Sequence, residues 1–228
     1  MKYIIIGLGY FGASLAEKLT RTGNEVIGVD HKMDKVELLK EKISHTICLD
    51  ATDEQAVSHL PLKETDVVMV CIGENEGANI LATAIMKQAK VKRLISRAVS
   101  ALHQTVLQAM HVDEIIHPEE ETAERWAKKL NMHGVIDSYE LTGDFSIVEA
   151  EVPKALDGLT LQEADLNDKY SVVVLTLITM EEKENDLGVK APVPHTEGVA
   201  NSKTRLTAGA IMVLYGKSKD IGAFLGQN

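Results

Sequence analysis

The sequence predicts two parts: an α/β unit built on a doubly wound parallel sheet, and a small α+β unit after it. Short apolar runs alternate with segments of helical periodicity over residues 1–133, a pattern typical of strands and helices in a parallel sheet. The first apolar run leads at once into a glycine-rich turn. Beyond residue 134 the alternation is lost. We therefore predict one domain over 1–133 and a second over 134–228.

The opening segment has the order of elements that a dinucleotide site requires. Residues 3–6 form an apolar, isoleucine-rich run, typical of a strand buried on both faces. Gly7, Gly9 and Gly12 follow at G-x-G-x-x-G spacing, and helical periodicity begins at Phe11. In such a turn the first glycine permits a tight bend, the second lets a phosphate approach the backbone and the third lets helix pack on strand. Taken alone, this motif is weak evidence for a nucleotide site.

The second predicted strand strengthens this interpretation. It covers residues 25–30 and ends in Asp30, eighteen residues after Gly12. An acid near this spacing binds ribose hydroxyls in dinucleotide-binding folds, and it disfavours a 2′-phosphate and hence NADP. A strand-end acid exposed to solvent is the simpler alternative. The agreement of strand, turn, helix and acid favours a Rossmann domain that binds a nucleotide.

The rest of the first domain continues the alternation. The predicted strands cover 46–49, 66–73, 93–97 and 114–117. The predicted helices cover 33–42, 76–89, 100–110 and 119–130, with a shorter helix that Thr52 or Asp53 caps and that runs through Leu60. Asn75 is a candidate cap for the helix at 76, because an Asn side chain can accept a hydrogen bond from the first turn. Six strands in this pattern complete a doubly wound sheet.

The second domain is predicted to be less regular. Residues 145–152 alternate apolar and charged side chains, as a half-exposed strand does. Further strands are predicted over 171–180 and 210–216, and helices over 159–166 and 218–225. The charged segment 181–186 predicts a turn, and the Pro- and Gly-punctuated segment 190–203 predicts a loop.

The composition excludes several classes of partner. With 24 basic and 34 acidic residues the net charge is −10, which disfavours nucleic acid and anionic membrane surfaces as general partners. No apolar run approaches the ~20 residues that cross a bilayer. The first strand starts at once, so neither a signal peptide nor an N-terminal helix-turn-helix is expected. Cys48 and Cys71 lack metal-ligand spacing and are predicted to be buried thiols in a reducing cytosol.

Several motifs together resemble the regulator-of-potassium-conductance (RCK) family, whose two parts are named TrkA-N and TrkA-C. They are the N-terminal Ile-Ile-Gly-Leu-Gly-x-Phe-Gly, Asp30, Asp-Ala-Thr at 50–52, Ile-Gly at 72–73 and Ile-Ile-His-Pro-Glu at 115–119. The last motif is far more specific to the family than the glycines are. The resemblance covers nearly the whole chain. Within the family, the chain most resembles the cytosolic regulatory subunit of Ktr/Trk-type potassium uptake systems.

This resemblance implies a nucleotide sensor and not an enzyme. Such subunits form homodimers that assemble into an octameric ring beneath a membrane potassium transporter. Exchange of ATP for ADP, or of NADH for NAD in some members, changes the shape of the ring and gates ion flow. The implied location is cytoplasmic, at the inner face of the membrane. Which nucleotide activates and which membrane subunit is engaged stay open.

The resemblance also implies which residues bind the nucleotide. The glycine turn holds phosphates. Asp30 holds the ribose hydroxyls, with its next two residues beside it, and the residues after the third strand border the adenine. The loop after the fourth strand lines the cleft, and two basic residues approach the phosphates. The full set is Gly7, Gly9, Tyr10, Phe11, Asp30, His31, Lys32, Asp50, Ala51, Cys71, Ile72, Gly73, Arg97 and His103. A divalent or monovalent cation is implied at Glu119, near the dimer interface.

Two departures from the family pattern bear on the ligand. Tyr10 stands where many ATP-responsive members carry Arg, and it supplies no charge to the phosphates. Discrimination between ATP and ADP therefore stays open, with Arg97, Arg21 or a cation at Glu119 as partial substitutes. In the second domain, residues 166–170 are shorter than the segment that binds cyclic di-AMP in some members and lack its Arg. This difference argues against cyclic di-AMP.

Two other function classes fit the sequence less well. An NAD-dependent oxidoreductase needs an acid/base residue against the nicotinamide, and after residue 140 the only histidine is His195, in a Pro-rich segment. A redox-sensing DNA-binding repressor needs a basic helix-turn-helix, which the acidic chain lacks. Glu119 and Glu120 also have a simpler interpretation, since acids at a helix start offset the helix dipole.

Overall fold

The computed structural model describes residues 1–131, 134–141, 143–184 and 190–226. The chain forms two compact units, Met1–Glu121 and Thr122–Asn228. The domain boundary between residues 133 and 134 stays a prediction. Among the described residues, no helix has the length and apolar character needed to span a membrane.

The first unit alternates strands and helices throughout. Its strands are β1 (Lys2–Ile6), β2 (Glu25–Asp30), β3 (His45–Cys48), β4 (Val67–Val70), β5 (Leu94–Arg97) and β6 (Glu114–Ile116). Its helices are α1 (Tyr10–Arg21), α2 (Met33–Leu39), α3 (Glu54–Val57), α4 (Glu76–Gln88) and α5 (Ala101–Ala109). The next helix, α6 (Pro118–Asn131), starts in this unit and ends in the second. Pro118 is the first helical residue, a position that needs no backbone N–H donor.

These six strands form one parallel sheet in the order β3-β2-β1-β4-β5-β6. The predicted doubly wound Rossmann sheet is thus confirmed. Ile4 and Ile6 pack in the core on one face of the sheet and Ile5 in the core on the other, all at most 1% exposed. The strand order reverses between β1 and β4, and open α/β sheets bind ligands at the carboxyl ends of strands at such a point.

Side-chain caps were predicted from the sequence for two helix starts in this unit. Asp53 accepts hydrogen bonds from the amides of Gln55 and Ala56, so it caps α3, and not Thr52. This helix ends at Val57, one turn earlier than predicted. Asn75 accepts from the amide of Ala78 and caps α4 as predicted.

The second unit is built on an antiparallel sheet in the order β10-β9-β11-β8-β7. Its strands are β7 (Val135–Glu140), β8 (Phe145–Glu151), β9 (Val173–Glu184), β10 (Lys190–Thr196) and β11 (Ile211–Lys217). Its helices are α7 (Leu161–Ala164), α8 (Leu166–Tyr170) and α9 (Ser218–Leu225), with a 3₁₀ turn over Lys154–Leu156. Leu206, Met212, Leu214 and Ile221 are fully buried in the core of this unit.

Predictions for four segments of the second unit need correction. Residues 181–184 do not turn but continue β9, while 185 and 186 lie outside the described residues. Residues 190–196 are not loop but strand β10, paired with β9. Because β10 is an edge strand, its prolines do not interrupt the sheet. Strand β7 was not predicted, and the helix over 159–166 is divided into α7 and α8 by Asp165, whose φ is +52°.

Candidate functional site

The turn between β1 and α1 lies at the point where the strand order reverses. Gly7 has φ +95°, a left-handed conformation that favours glycine, and its amide donates to the Val29 carbonyl at 2.8 Å. A Cβ on Gly12 would lie 2.0 Å from the Gly7 carbonyl oxygen, so only glycine lets α1 approach β1. A Cβ on Gly9 would meet no described atom within 4 Å. Packing therefore demands glycine at two of the three positions and leaves open space beside the third.

The start of α1 suits an anion. The first-turn amides of a helix have no partners within the helix and carry partial positive charge. In α1 no acidic side chain stands in that turn to offset this charge. Tyr10 is fully exposed, whereas Phe11 packs into the core beside Leu8. A phosphate can thus approach the amides without competing with a protein carboxylate.

Asp30 at the end of β2 is buried and held in place. It is 6% exposed; Oδ2 accepts from the Leu8 amide at 2.8 Å and Oδ1 from the Lys32 amide at 2.9 Å. A carboxylate offers about four lone-pair positions, so two amide hydrogen bonds leave capacity for ribose hydroxyls. The bond to Leu8 links this carboxylate directly to the glycine turn.

Basic side chains beside Asp30 are paired with an acid from another loop. Glu74, in the loop after β4, lies 3.4 Å from Lys32 Nζ and 3.3 Å from Lys35 Nζ. The two lysines lower the pKa of the Glu74 carboxyl, Lys35 most strongly. The His31 ring is exposed, with Nδ1 3.4 Å from Asp30 Oδ1. Sequence reasoning missed Glu74 and Lys35, because pairing between loops that follow non-consecutive strands leaves no local pattern.

At the end of β3, Asp50 and Ala51 are differently placed. Asp50 Oδ1 accepts from the Thr52 amide at 2.9 Å and hydroxyl at 2.7 Å, and these bonds lower the pKa of its carboxyl. Ala51 is 6% exposed and packs in the core. Asp50 therefore supports its own turn, and the adenine contacts of both residues stay a prediction.

The loop after β4 forms the other wall of the cleft. The Cys71 amide donates to the Ile6 carbonyl at 2.7 Å, and a Cβ on Gly7 would lie 2.9 Å from the Ile72 amide nitrogen. Cys71 is 2% exposed, and burial raises the pKa of its thiol to about 12. Because the thiolate is the nucleophile, Cys71 at neutral pH is an inert part of the wall.

Asn79 of α4 ties the ends of β4 and β5 together. It is fully buried, and Nδ2 donates to the carbonyls of Ile72 at 2.8 Å and Arg97 at 3.1 Å. Oδ1 accepts from the Ser96 hydroxyl at 3.0 Å. Sequence reasoning missed this residue, although an Asn at an apolar helical position is the kind of signal that marks a buried polar contact.

His103 of α5 is enclosed in the same polar cluster. It is 1% exposed, and Nε2 lies 3.2 Å from Asn79 Oδ1. Nδ1 is buried and has no hydrogen-bond partner among the described residues. Burial lowers the pKa of the imidazole, with an opposing effect of Glu76. The ring offers almost no surface to a ligand here, and its phosphate contact stays a prediction.

Arg97 at the end of β5 lies against the cleft wall. A Cβ on Gly73 would be 2.5 Å from the guanidinium carbon, and Nη1 lies 3.5 Å from the Cys71 carbonyl oxygen. Nη2 donates to Glu119, while the buried Nε has no partner among the described residues. No group of three or more described His, Cys, Asp or Glu side chains could hold a metal ion. A cation at Glu119 stays a prediction.

Next to this arginine, a cavity of about 380 Å³ opens at the carboxyl ends of β5 and β6. The described residues that line it are Gly73, Arg97, Ala98, Val99, Ser100, Ala101, Gln104, His117, Glu119 and Glu120. The starts of α5 and α6 form part of its lining. Gly73 lines both this cavity and the nucleotide cleft.

Comparison with known proteins agrees with this geometry. Residues 3–118 match the model of the TrkA-N domain. The chain belongs to the TrkA-N family. Ktr system potassium uptake protein C of Bacillus subtilis is 36% identical over 176 residues, which cover 77% of this chain and 80% of that protein. The RCK resemblance drawn from the motifs is confirmed by these matches and by the solved structures below.

Two of those structures share the fold of this TrkA-N protein. The GsuK RCK domain superposes with a TM-score of 0.65 at 14% identity, over 99% of this chain and 47% of that one. The GsuK channel bound to NAD gives 0.64 at 15% identity, over 98% and 39%. The chain thus spans less than half of either GsuK chain. At these identities the comparison establishes the fold alone.

Proposed function

We propose that this TrkA-N protein is a regulatory subunit that senses an adenine nucleotide and gates a membrane potassium transporter. The observation that carries the proposal is the glycine turn at the strand-order reversal, joined to a buried, oriented Asp30 through the Leu8 amide. An open helix start for phosphate and a fixed carboxylate for ribose are the two halves of a nucleoside phosphate site. The name of the Bacillus relative supports the link to potassium uptake.

Within the proposal, each group has one task. Gly7, Gly9, Tyr10 and Phe11 surround the phosphates, Asp30 binds the ribose, and His31 and Lys32 flank it. Asp50 and Ala51 border the adenine, and Cys71, Ile72 and Gly73 form the cleft wall. Arg97 approaches the distal phosphate. His103 lies behind the cleft wall and not on its surface, because its ring is enclosed.

Gating requires more than binding. A ligand shifts a conformational equilibrium only when it binds the two states unequally. We propose that homodimers assemble into an octameric ring, that a Ktr/Trk-type membrane subunit docks on the ring at the cytoplasmic face, and that exchange of nucleotides alters the ring. A cation at Glu119 would have to compete with Arg97 for the carboxylate.

Calorimetry on the purified chain with AMP, ADP, ATP, NAD and NADH tests the proposal, together with native mass measurement. We expect saturable binding of adenine nucleotides to an oligomer, and no sustained hydride transfer with added 2-hydroxy acids or aldehydes. Failure of every nucleotide to bind would refute the proposal. Continuous cofactor turnover would favour an NAD-dependent oxidoreductase instead.

A further inference from the structure

Two lysines at the start of α2 lie beside the carboxylate that is assigned to the ribose. Lys32 immediately precedes α2, and its backbone amide donates to Asp30 Oδ1 at 2.9 Å. Lys35 is in the first turn of α2, and its Nζ lies 3.9 Å from Asp30 Oδ2. The Lys35 side chain is only 23% exposed, so its ammonium group is held close to this carboxylate. A basic side chain in this part of a Rossmann fold can accommodate the 2′-phosphate of a nucleotide.

Glu74 pairs with both of these lysines from a different loop. Its Oε2 lies 3.4 Å from Lys32 Nζ and its Oε1 lies 3.3 Å from Lys35 Nζ, so each carboxylate oxygen has its own lysine. Glu74 follows β4, whereas the lysines follow β2, and β1 lies between these two strands. Because neighbouring strands are about 4.8 Å apart, the ion pairs connect loops roughly 10 Å apart at the carboxyl end of β1. They therefore lie at the rim of the proposed nucleotide cleft.

The two lysines and the two carboxylates of this cluster balance each other in charge. Lys35 and then Lys32 hold the pKa of the Glu74 carboxyl below its ordinary value, so this group is ionised at neutral pH. A 2′-phosphate would add about 1.5–2 negative charges beside Asp30 and Glu74, and both lysines are already paired. A free 2′-hydroxyl brings no charge and needs only an acceptor oxygen of Asp30. The cluster therefore favours an unmodified ribose.

We propose that Glu74 is a specificity-determining residue that excludes 2′-phosphorylated nucleotides by occupying the two lysines that could bind the 2′-phosphate. This inference rests on the proposed nucleotide site and extends that site to the loop after β4. Asp30 by itself repels a 2′-phosphate but leaves Lys32 and Lys35 able to pair with it. Without the Glu74 carboxylate, two lysines would face one aspartate, and the net charge of the cluster would become positive.

Calorimetry with AMP and adenosine 2′,5′-bisphosphate tests the assignment, because these two nucleotides differ only in the 2′-phosphate. In the wild type we expect AMP to bind at least about a hundredfold more tightly, since like charges placed together cost several kcal/mol. Glu74→Gln keeps the size of the side chain and frees both lysines, so the ratio of the two affinities should fall at least about tenfold. The Glu74 side chain is 71% exposed, so this variant retains the fold.

Two further variants separate release of the lysines from a general loss of negative charge. Glu37→Gln is the matched control, because Glu37 is an exposed acid on α2 that pairs with Lys40. It should leave the affinity ratio at the wild-type value. Adding Lys35→Met to Glu74→Gln removes one of the released lysines, so most of the tenfold change in the ratio should be reversed.

Three results would overturn the assignment. They are similar affinities of the two nucleotides for the wild type, an unchanged ratio in Glu74→Gln, and a changed ratio that persists after Lys35→Met is added. In each of these cases AMP still binds, so the role of Glu74 alone is refuted. If neither AMP nor ADP binds the wild-type chain, the proposed function is refuted as well.

Discussion

At the scale of single residues, the site depends on polar groups that are buried but almost fully bonded. Asp30 accepts hydrogen bonds from two backbone amides. The Asn79 side chain donates to backbone carbonyls at the ends of two strands. Leaving a buried polar group without a partner lowers the free energy of unfolding by about 1–3 kcal/mol. Because breaking these bonds carries that penalty, they hold the side chains in one geometry. The exceptions are Arg97 Nε and His103 Nδ1, both without a partner among the described residues.

We expect Asp30→Ala to abolish measurable nucleotide binding. The carboxylate would accept hydrogen bonds from ribose hydroxyls, each worth about 1.5–3 kcal/mol because the acceptor is charged. The loss of two such bonds corresponds to at least about a hundredfold weaker affinity. Asp34→Ala, an exposed acid on α2, is the matched control. An unchanged calorimetric affinity in Asp30→Ala would remove the ribose role.

The stability of the first unit should fall in acid through His103. Burial lowers the pKa of its imidazole, so the unfolded chain, with a pKa near 6.5, binds the proton more readily. The stabilisation that the folded state gains from a neutral His103 is therefore complete above about pH 6.5. It is lost as the pH falls through the lower pKa that this imidazole has in the folded protein. Denaturant unfolding from pH 7.5 to 5 should show a smaller decrease for His103→Gln than for wild type. His59→Gln, on the exposed surface, should follow the wild-type curve.

At the scale of elements, α4 begins with two asparagines that have different tasks. Asn75 caps the helix from an exposed position, and Asn79 is buried one turn later. A cap contributes typically ~1 kcal/mol, whereas loss of a buried hub leaves several partners unsatisfied. Asn75 therefore stabilises the start of α4, whereas Asn79 connects that helix to the ends of β4 and β5.

The two positions provide a direct comparison. We expect Asn79→Ala to lower the free energy of unfolding by about 2–4 kcal/mol, because two carbonyls and a hydroxyl lose a partner in the core. Asn75→Ala should cost about 1 kcal/mol. Urea denaturation of both variants measures the difference. Equal losses would show that Asn79 does not join the strand ends in solution.

At the scale of the whole molecule, the function proposed is a property of an assembly. Each of the two compact units has its own buried core. A binding site in one unit can control a transporter only if its ligand biases the arrangement of several copies. The proposed ring supplies such copies.

We expect native mass spectrometry to give a mass near 200 kDa, about eight times the 24.9 kDa of one chain. Adding the preferred nucleotide should change the radius of gyration in small-angle scattering at constant mass. A monomer that keeps its dimensions with every nucleotide would contradict gating through a ring.

The sequence by itself determined the parallel sheet, the glycine turn and the acid at the end of β2. Those features are local: apolar runs, glycine spacing and cap residues act within a few positions of the chain. In the second unit the same signals failed for β7 and β10. There a strand gains its stability from a neighbour distant in sequence, as β10 does from β9.

Only the tertiary structure decided how Asn79, Glu74 and Arg97 are used. Each of them contacts groups on a different loop or strand, and such contacts depend on the order of strands in the sheet. The cavity at the ends of β5 and β6 likewise exists because strand ends far apart in sequence meet at one edge. Residue types and spacing predict that a nucleotide site exists, whereas the packing of strand ends sets its shape and charge.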